Sequence, residues 1–232
     1  MRWRAVGWSA GLVAVGLTPV WGPLALRPFA FFAVRRVELV GVRYLDPEVV
    51  VGSMGLRDAA SVWDRLGPVA ERVRGLPGVE EAVVRRRLPG TIRVVVREAE
   101  PVAVAAGADG LVPLAADGRP LPYDPAEAGV DVPVVARADR ELAAALDVVR
   151  RADPALYAGT ASASRVGDAE VRLDIEGRGR VRLAAPVDPE VVRAVAAVQR
   201  DLESRSQAWR ELDGRFRGWV VVRRPTEAEA SS

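Results

Sequence analysis

The 232-residue chain contains no cysteine and no histidine. It contains no lysine either, so all 33 basic residues are arginine. Without cysteine there is no disulfide framework, thiolate metal site or thiol nucleophile. Without histidine the commonest general base and metal ligand is missing. Without lysine, Schiff-base chemistry and a Walker-type phosphate loop are excluded. Neither a GxGxxG fingerprint nor a GxSxG nucleophile elbow occurs. Paired carboxylates or a serine or threonine scheme survive in principle, but no pattern marks them. The reading is therefore of a non-enzyme with no catalytic, cofactor-binding or metal-ligating residues.

Excess charge of one sign is also lacking. The 33 basic and 31 acidic residues leave a formal net charge of +2, too little for a protein that coats nucleic acid. No nucleic-acid partner is expected. Half the residues are hydrophobic and 28% are charged, a globular composition. The length suits one medium fold or two small ones.

Long uncharged runs are absent except for one. Ala5–Leu26 reads AVGWSAGLVAVGLTPVWGPLAL, and at about 1.5 Å per residue such a helix spans roughly 33 Å, close to the thickness of a bilayer core. Arg2 and Arg4 precede it, and Trp3, Trp8 and Trp21 suit the interfaces. The run reads as an uncleaved anchor, with a short cytoplasmic tail over 1–4 and a juxtamembrane segment to residue 33. A cleavable signal peptide is the other reading, but its small-x-small candidate, Ala14-Val15-Gly16, falls inside the apolar run. Pro19 and Pro23 are placed to kink its end. The N-terminus is expected in the cytoplasm and the bulk of the chain outside it.

Residues 34–104 carry the pattern strand, helix, helix, strand, strand. Val34–Gly41 reads as a strand. Asp46-Pro47-Glu48 is a helix start, with Asp as N-cap, Pro at the first position and an acid facing the dipole; that helix runs to about Leu56. Gly67-Pro68 opens a second helix with Val69, Val73 and Leu76 at helical spacing, stopped by Pro77-Gly78. Glu81–Arg87 and Thr91–Glu98 read as a hairpin, with Pro89-Gly90 as the centre of a type II turn. Arg85, Arg86 and Arg87 fit a solvated strand end better than a phosphate cluster, since Glu80, Glu81, Glu98 and Glu100 lie nearby.

These residues resemble the POTRA domain of the FtsQ/DivIB bacterial cell-division proteins. Pro77, Val79, Ala82, Val84 and Arg86, then Pro89, Thr91, Ile92, Val94, Val96 and Glu98, then Pro101, Val102 and Ala103 match that family's pattern. Most of these positions are structural. POTRA domains also occur in outer-membrane assembly and secretion proteins, and a periplasmic module of that kind is the alternative reading.

Residues 105–225 read as a second, mixed domain. Leu111–Leu114 and Asp117–Leu121 form two short strands about an Asp-Gly turn, resembling the family's "leu-val-asp-x-asp-gly" hairpin with Pro113 in place of an acid. Asp131–Val135 resembles its "leu-pro-val" segment. Arg140–Arg151 is helical by spacing, and Ala158–Arg165 reads as a small, polar loop. Val171–Ile175 and Arg180–Leu183 alternate as a hairpin about Gly177-Arg178-Gly179. Asp188-Pro189-Glu190 opens a helix through Leu202. Glu211–Phe216 and Gly218–Arg223 resemble the family's closing "asp-leu-arg-phe … val-x-val" signature, with Gly214 replacing Leu. The tail 226–232 reads as disordered.

The expected fold class is α+β: a transmembrane helix, a β-α-α-β-β POTRA domain and a second domain with an antiparallel sheet and helices. The resemblance implies an inner-membrane, single-pass protein at the division septum. It implies a non-catalytic scaffold that recruits small single-span coiled-coil division proteins, FtsB- and FtsL-like, and links them to other divisome membrane proteins and to septal peptidoglycan synthesis. It also implies recruitment by strand addition at a β-edge near the C-terminus, here Arg217, Gly218, Trp219, Val220, Val221, Val222 and Arg223. Trp219 is either the anchor of that contact or an ordinary core residue. A third reading, an anchored hydrolase, needs two acids within about 5–10 Å of each other in a cleft, and no pair stands out.

Overall fold

A computed structural model describes residues 30–57, 60–107, 110–126, 129 and 131–225. The uncharged run Ala5–Leu26 and the tail 226–232, read above as an anchor and a disordered end, lie outside the described residues. Among the described residues no helix is long and apolar enough to cross a membrane. The chain divides into two units, with the break between Glu98 and Ala99.

In the first unit a 3₁₀ turn (Ala30–Phe32) leads into β1 (Arg36–Val40), α1 (Pro47–Ser53), α2 (Gly67–Arg74), β2 (Val79–Arg87) and β3 (Thr91–Glu98). This is the β-α-α-β-β order. The strands form one sheet in the order β1-β3-β2, β1 parallel and β2 antiparallel to β3. A parallel pair needs a long crossover, and the two helices supply it. The Asp46 carboxylate accepts the Glu48 N–H at 2.8 Å, capping α1 as its Asp-Pro start requires. On the inner face Ile92, Val94 and Val96 of β3 are buried with Val50, Met54, Val69 and Val73 of the helical layer, each such side chain being worth about 1.5–3 kcal/mol when removed from water. Glu98 is buried where β3 ends. Its carboxylate accepts the backbone N–H groups of Arg43 (3.0 Å), Tyr44 (2.7 Å) and Leu45 (3.0 Å), and so fixes the chain between β1 and α1.

Two local expectations are corrected here. Gly90 is not in the left-handed region that the second central position of a type II turn requires, so the β2–β3 connection is not a type II turn. Glycine is needed at 90 for a different reason: a Cβ there would sit 2.8 Å from the Ala33 carbonyl oxygen. The second helix ends before Pro77-Gly78, since the Gly75 N–H already closes it onto Glu71. The arginine run is a strand end. Arg86 donates to the Val62 (2.6 Å) and Asp64 (2.8 Å) carbonyls, and Arg87 pairs with Glu38 at 2.9 Å.

The second unit comprises β4 (Ala103–Gly107), β5 (Gly110–Leu114), β6 (Val134–Val135), α3 (Arg140–Ala152), α4 (Pro154–Ala158), β7 (Thr160–Val166), β8 (Glu170–Ile175), β9 (Gly179–Ala184), α5 (Pro189–Ser204), β10 (Glu211–Asp213) and β11 (Val221–Arg223). One eight-stranded sheet runs β11-β10-β9-β8-β7-β6-β4-β5. It is mixed rather than antiparallel throughout, because β4–β6, β6–β7 and β9–β10 are parallel pairs. Leu142, Leu146 and Val149 of α3, Leu156 of α4 and Val192 and Val195 of α5 share one core with Ala163, Val171, Leu173, Val181, Leu183 and Leu212 of the sheet. Asp139, Asp153 and Asp188 cap the three helices with their carboxylates.

Three differences from the sequence reading have physical causes. Residues 103 and 104, grouped above with the POTRA pattern, belong to β4, whose ladder partners are β5 and β6. Asp117-Gly118 does turn, with Gly118 at φ +78°, but its far arm makes only the isolated bridge Leu114↔Pro120. The segment Ala158–Arg165 is not a loop. Thr160–Val166 is β7, an interior strand paired with β6 and β8, and its Ser162 hydroxyl donates to Asp174 at 3.1 Å.

Candidate partner-binding edge

The last fifteen described residues build the end of the eight-stranded sheet. Leu212 of β10 is fully buried in the core, so alternation turns Glu211 and Asp213 to the opposite face. Gly214 follows, its N–H donating to the Arg182 carbonyl at 2.9 Å. A Cβ at this position would lie 2.8 Å from Val195 Cγ2 and 2.9 Å from Val191 Cγ1, so the valines of α5 occupy the space a larger residue would fill. The chain then reverses through Gly218, at φ +77°, and the Trp219 N–H closes the turn onto the Phe216 carbonyl at 3.1 Å. It returns as β11, antiparallel to β10, with Asp213↔Val221, Leu212↔Val222 and Glu211↔Arg223 in register.

The expected strand over 217–223 is thus shorter than the sequence pattern implies. Val221, Val222 and Arg223 form β11; Trp219 and Val220 lead into it, and Arg217 and Gly218 belong to the turn. Val220 and Val222 pack against the core. Trp219 is 77% exposed, Phe216 52% and Val221 42%, so Trp219 is not a core residue. Among the described residues β11 stands last in the sheet order, paired with β10.

A charged network that the sequence reading missed lies on the face away from the core. Arg182 of β9 grips the Glu170 carboxylate of β8 with Nε at 2.9 Å and Nη2 at 2.6 Å. Arg215 holds Asp213 the same way, with Nε at 2.9 Å and Nη2 at 2.7 Å, and reaches Glu170 with Nη1 at 2.7 Å. Arg182 also lies 3.5 Å from Glu211, and Arg223 of β11 lies 3.5 Å from the same Glu211 oxygen. The network therefore runs from β8 to β11. Its signal in the sequence was the alternation of charge on successive strands, in Arg172/Asp174, Arg180/Arg182 and Glu211/Asp213.

Glu170 and Asp213 are both buried. The Arg182 guanidinium holds the Glu170 carboxyl below its ordinary pKa, and Arg215 does the same for Asp213. Arg182 and Arg215 are pushed up in turn by those carboxylates. These acids are ionised and occupied, an arrangement that fixes a strand and does not carry a mobile proton. Among the described residues no group of acidic side chains is placed to hold a metal ion.

The fold defines the class: a POTRA domain followed by a second α+β unit whose sheet, among the described residues, has β11 at its edge. Residues 32–99 match the family model described as POTRA domain, FtsQ-type. The chain is 28% identical over 235 residues to cell division protein FtsQ of Myxococcus fulvus, covering 92% of this chain and 82% of that one. It is 28% identical over 169 residues to the FtsQ of Mycobacteroides abscessus, covering 71% and 53% of the two chains. With the FtsQ of Rhodothermus marinus the identity is 36% over 94 residues, 40% and 31% of the two chains. The first unit is an FtsQ-type POTRA domain, and the likeness to FtsQ proteins extends over most of the chain.

Proposed function

We propose that this is a membrane-anchored, non-catalytic cell-division protein of the FtsQ kind, which presents the edge of β11 to an extended segment of a partner. The observation that carries the reading is that edge. An unpaired strand offers backbone N–H and C=O groups to an incoming strand, and here exposed Trp219, Phe216 and Val221 lie beside it. Arg217, Gly218 and Val220 shape the approach, and Val222 and Arg223 tie the strand down. The partners proposed are small single-span coiled-coil division proteins of the FtsB and FtsL kind, linked through this chain to septal peptidoglycan synthesis. Ala5–Leu26 is proposed as the anchor, with the N-terminus cytoplasmic.

The test is capture of partners by the full chain in mild detergent from membranes of its own host. The comparison is a Trp219→Ala, Val221→Asp variant, which alters exposed side chains only. Recovery of single-span coiled-coil division proteins by the wild type, and their loss with the variant, supports the reading. Equal recovery by both chains removes the site from β11. Normal septation in cells lacking the protein counts against the division role itself.

A further inference from the structure

We infer that one end of the POTRA unit is a seat for an anionic bilayer surface, a reading that rests on Ala5–Leu26 being the proposed anchor. Leu26 and Ala30 are four residues apart, so even a fully extended chain allows about 14 Å between them. The unit therefore begins within that distance of the end of the uncharged run.

What the described residues place at this end suits an interface. Phe31 is 62% exposed and stacks edge-on against Phe32, which stacks in turn on Trp63. The β2–β3 connection reaches the same end, because the Gly90 carbonyl accepts the N–H groups of Arg35 (2.8 Å) and Arg36 (3.2 Å). That connection carries Leu88, 55% exposed. Cations lie close to these groups in the chain: Arg35 and Arg36 follow Phe31 and Phe32, and Arg65 follows Trp63. Arg35, Arg36 and Arg65 are exposed. Among the described residues none of the three pairs with a carboxylate: the Arg35 guanidinium donates to the Phe31 carbonyl, and the nearby Glu38 is taken by Arg87 and Arg93. Exposed aromatic and aliphatic groups bordered by unpaired arginines are the chemistry of the zone between headgroups and acyl chains. The tether fixes which surface they meet, since they lie at the membrane end of the unit.

The chain has no cysteine, so a single introduced thiol reports one position. The full chain carrying Leu88→Cys or Glu81→Cys with a nitroxide is reconstituted in nanodiscs of phosphatidylglycerol with phosphatidylcholine, or of phosphatidylcholine alone. Residue 81 lies near the start of β2 and residue 88 just past its end, roughly 23 Å apart along an extended strand. The expected result is high collision with oxygen and low collision with an aqueous nickel chelate at 88, the reverse at 81, and weaker contact at 88 without the anionic lipid. Arg35→Gln, Arg36→Gln and Arg65→Gln together lower the ratio of seated to lifted protein by up to roughly a hundredfold, at about fivefold per arginine. Aqueous exposure at 88 equal to that at 81, or no response to lipid charge and to the triple substitution, overturns the inference. Failure of the chain to enter the nanodisc at all removes the anchor reading and this inference with it. Normal insertion with a water-exposed residue 88 removes this inference alone.

Discussion

Replacing Asp213 with asparagine takes one negative charge from a site where the acid is 1% exposed and receives three hydrogen bonds, two from the Arg215 guanidinium (2.9 and 2.7 Å) and one from its backbone N–H (3.1 Å). Asparagine keeps one acceptor oxygen and turns an NH₂ toward a guanidinium donor. Breaking one side of a buried ion pair costs about 3–5 kcal/mol. Arg215 retains Glu170 at 2.7 Å and its side chain is 30% exposed, so the loss is set lower, at about 2–3 kcal/mol. For a unit of this size that lowers the melting temperature by roughly 6–12 °C, read as the second unit's transition in scanning calorimetry.

The pH dependence supplies a second check. The folded pKa of Asp213 lies below its ordinary value, chiefly through the Arg215 hydrogen bonds. The stabilisation is therefore fully present above the unfolded pKa of about 3.9 and is lost as pH falls through the lower folded value. The gap between wild type and Asp213→Asn closes in that acid window. A loss under about 1 kcal/mol at neutral pH, or a gap that persists at acid pH, would refute the argument that the charged clamp holds the turn before β11.

Three further outcomes follow from other positions. Glu98→Ala leaves the backbone N–H groups of residues 43–45 without their acceptor and destabilises the first unit by about 3 kcal/mol in urea unfolding; a change under about 1 kcal/mol contradicts this role. Gly214→Ala presses a methyl group against Val191 and Val195 and costs about 1–3 kcal/mol, most of it recovered by Val191→Ala in the same chain; additive losses in the double variant would rule out that contact. Trp219→Ala changes stability by no more than about 0.5 kcal/mol, because the side chain is mostly exposed. The same substitution weakens partner capture by about 2 kcal/mol, roughly thirtyfold, in a binding titration; an unchanged affinity would exclude the indole from the contact.

Local chemistry made the first unit readable. Asp46-Pro47 is both a cap and a committed helix start, and Ile92, Val94 and Val96 alternate because one face of β3 is buried. The same Asp-Pro signal stands at Asp153-Pro154, where it opens a helix of only five residues, too short to show a periodicity of its own. β7 was hidden for another reason: its outward positions are Ser162 and Ser164, and its strand character comes from neighbours on both sides. Pro89-Gly90 looked like a local turn, whereas the close approach of Ala33 decides that glycine. At the edge, the valines announced a strand, but its length is set by Gly218 and by the Arg215 clamp on Asp213, neither of which a pattern of hydrophobic residues records.

The sheet edges of the two units are not equivalent, and the difference bears on function. The outer side of β5 is met by its own chain: Leu121 N–H donates to the Pro113 carbonyl at 2.8 Å, Ala115 N–H to the Arg119 carbonyl at 2.9 Å, and Pro113 has no N–H to offer. In the first unit, β2 exposes Glu80, Glu81, Arg85 and Arg87, the charged dressing that keeps an edge from pairing with other chains. β11 has less of either, with Arg223 as the charge among its three residues. It is three residues long, which limits chance association, and its row facing away from the core is the indole of Trp219, the isopropyl group of Val221 and the guanidinium of Arg223. An ion network spanning four strands holds that short edge in register on the same face, where Trp219 and Val221 stay exposed. A strand held rigid lowers the entropic cost of receiving another, so the charged network and the proposed partner-binding edge are two parts of one proposed device.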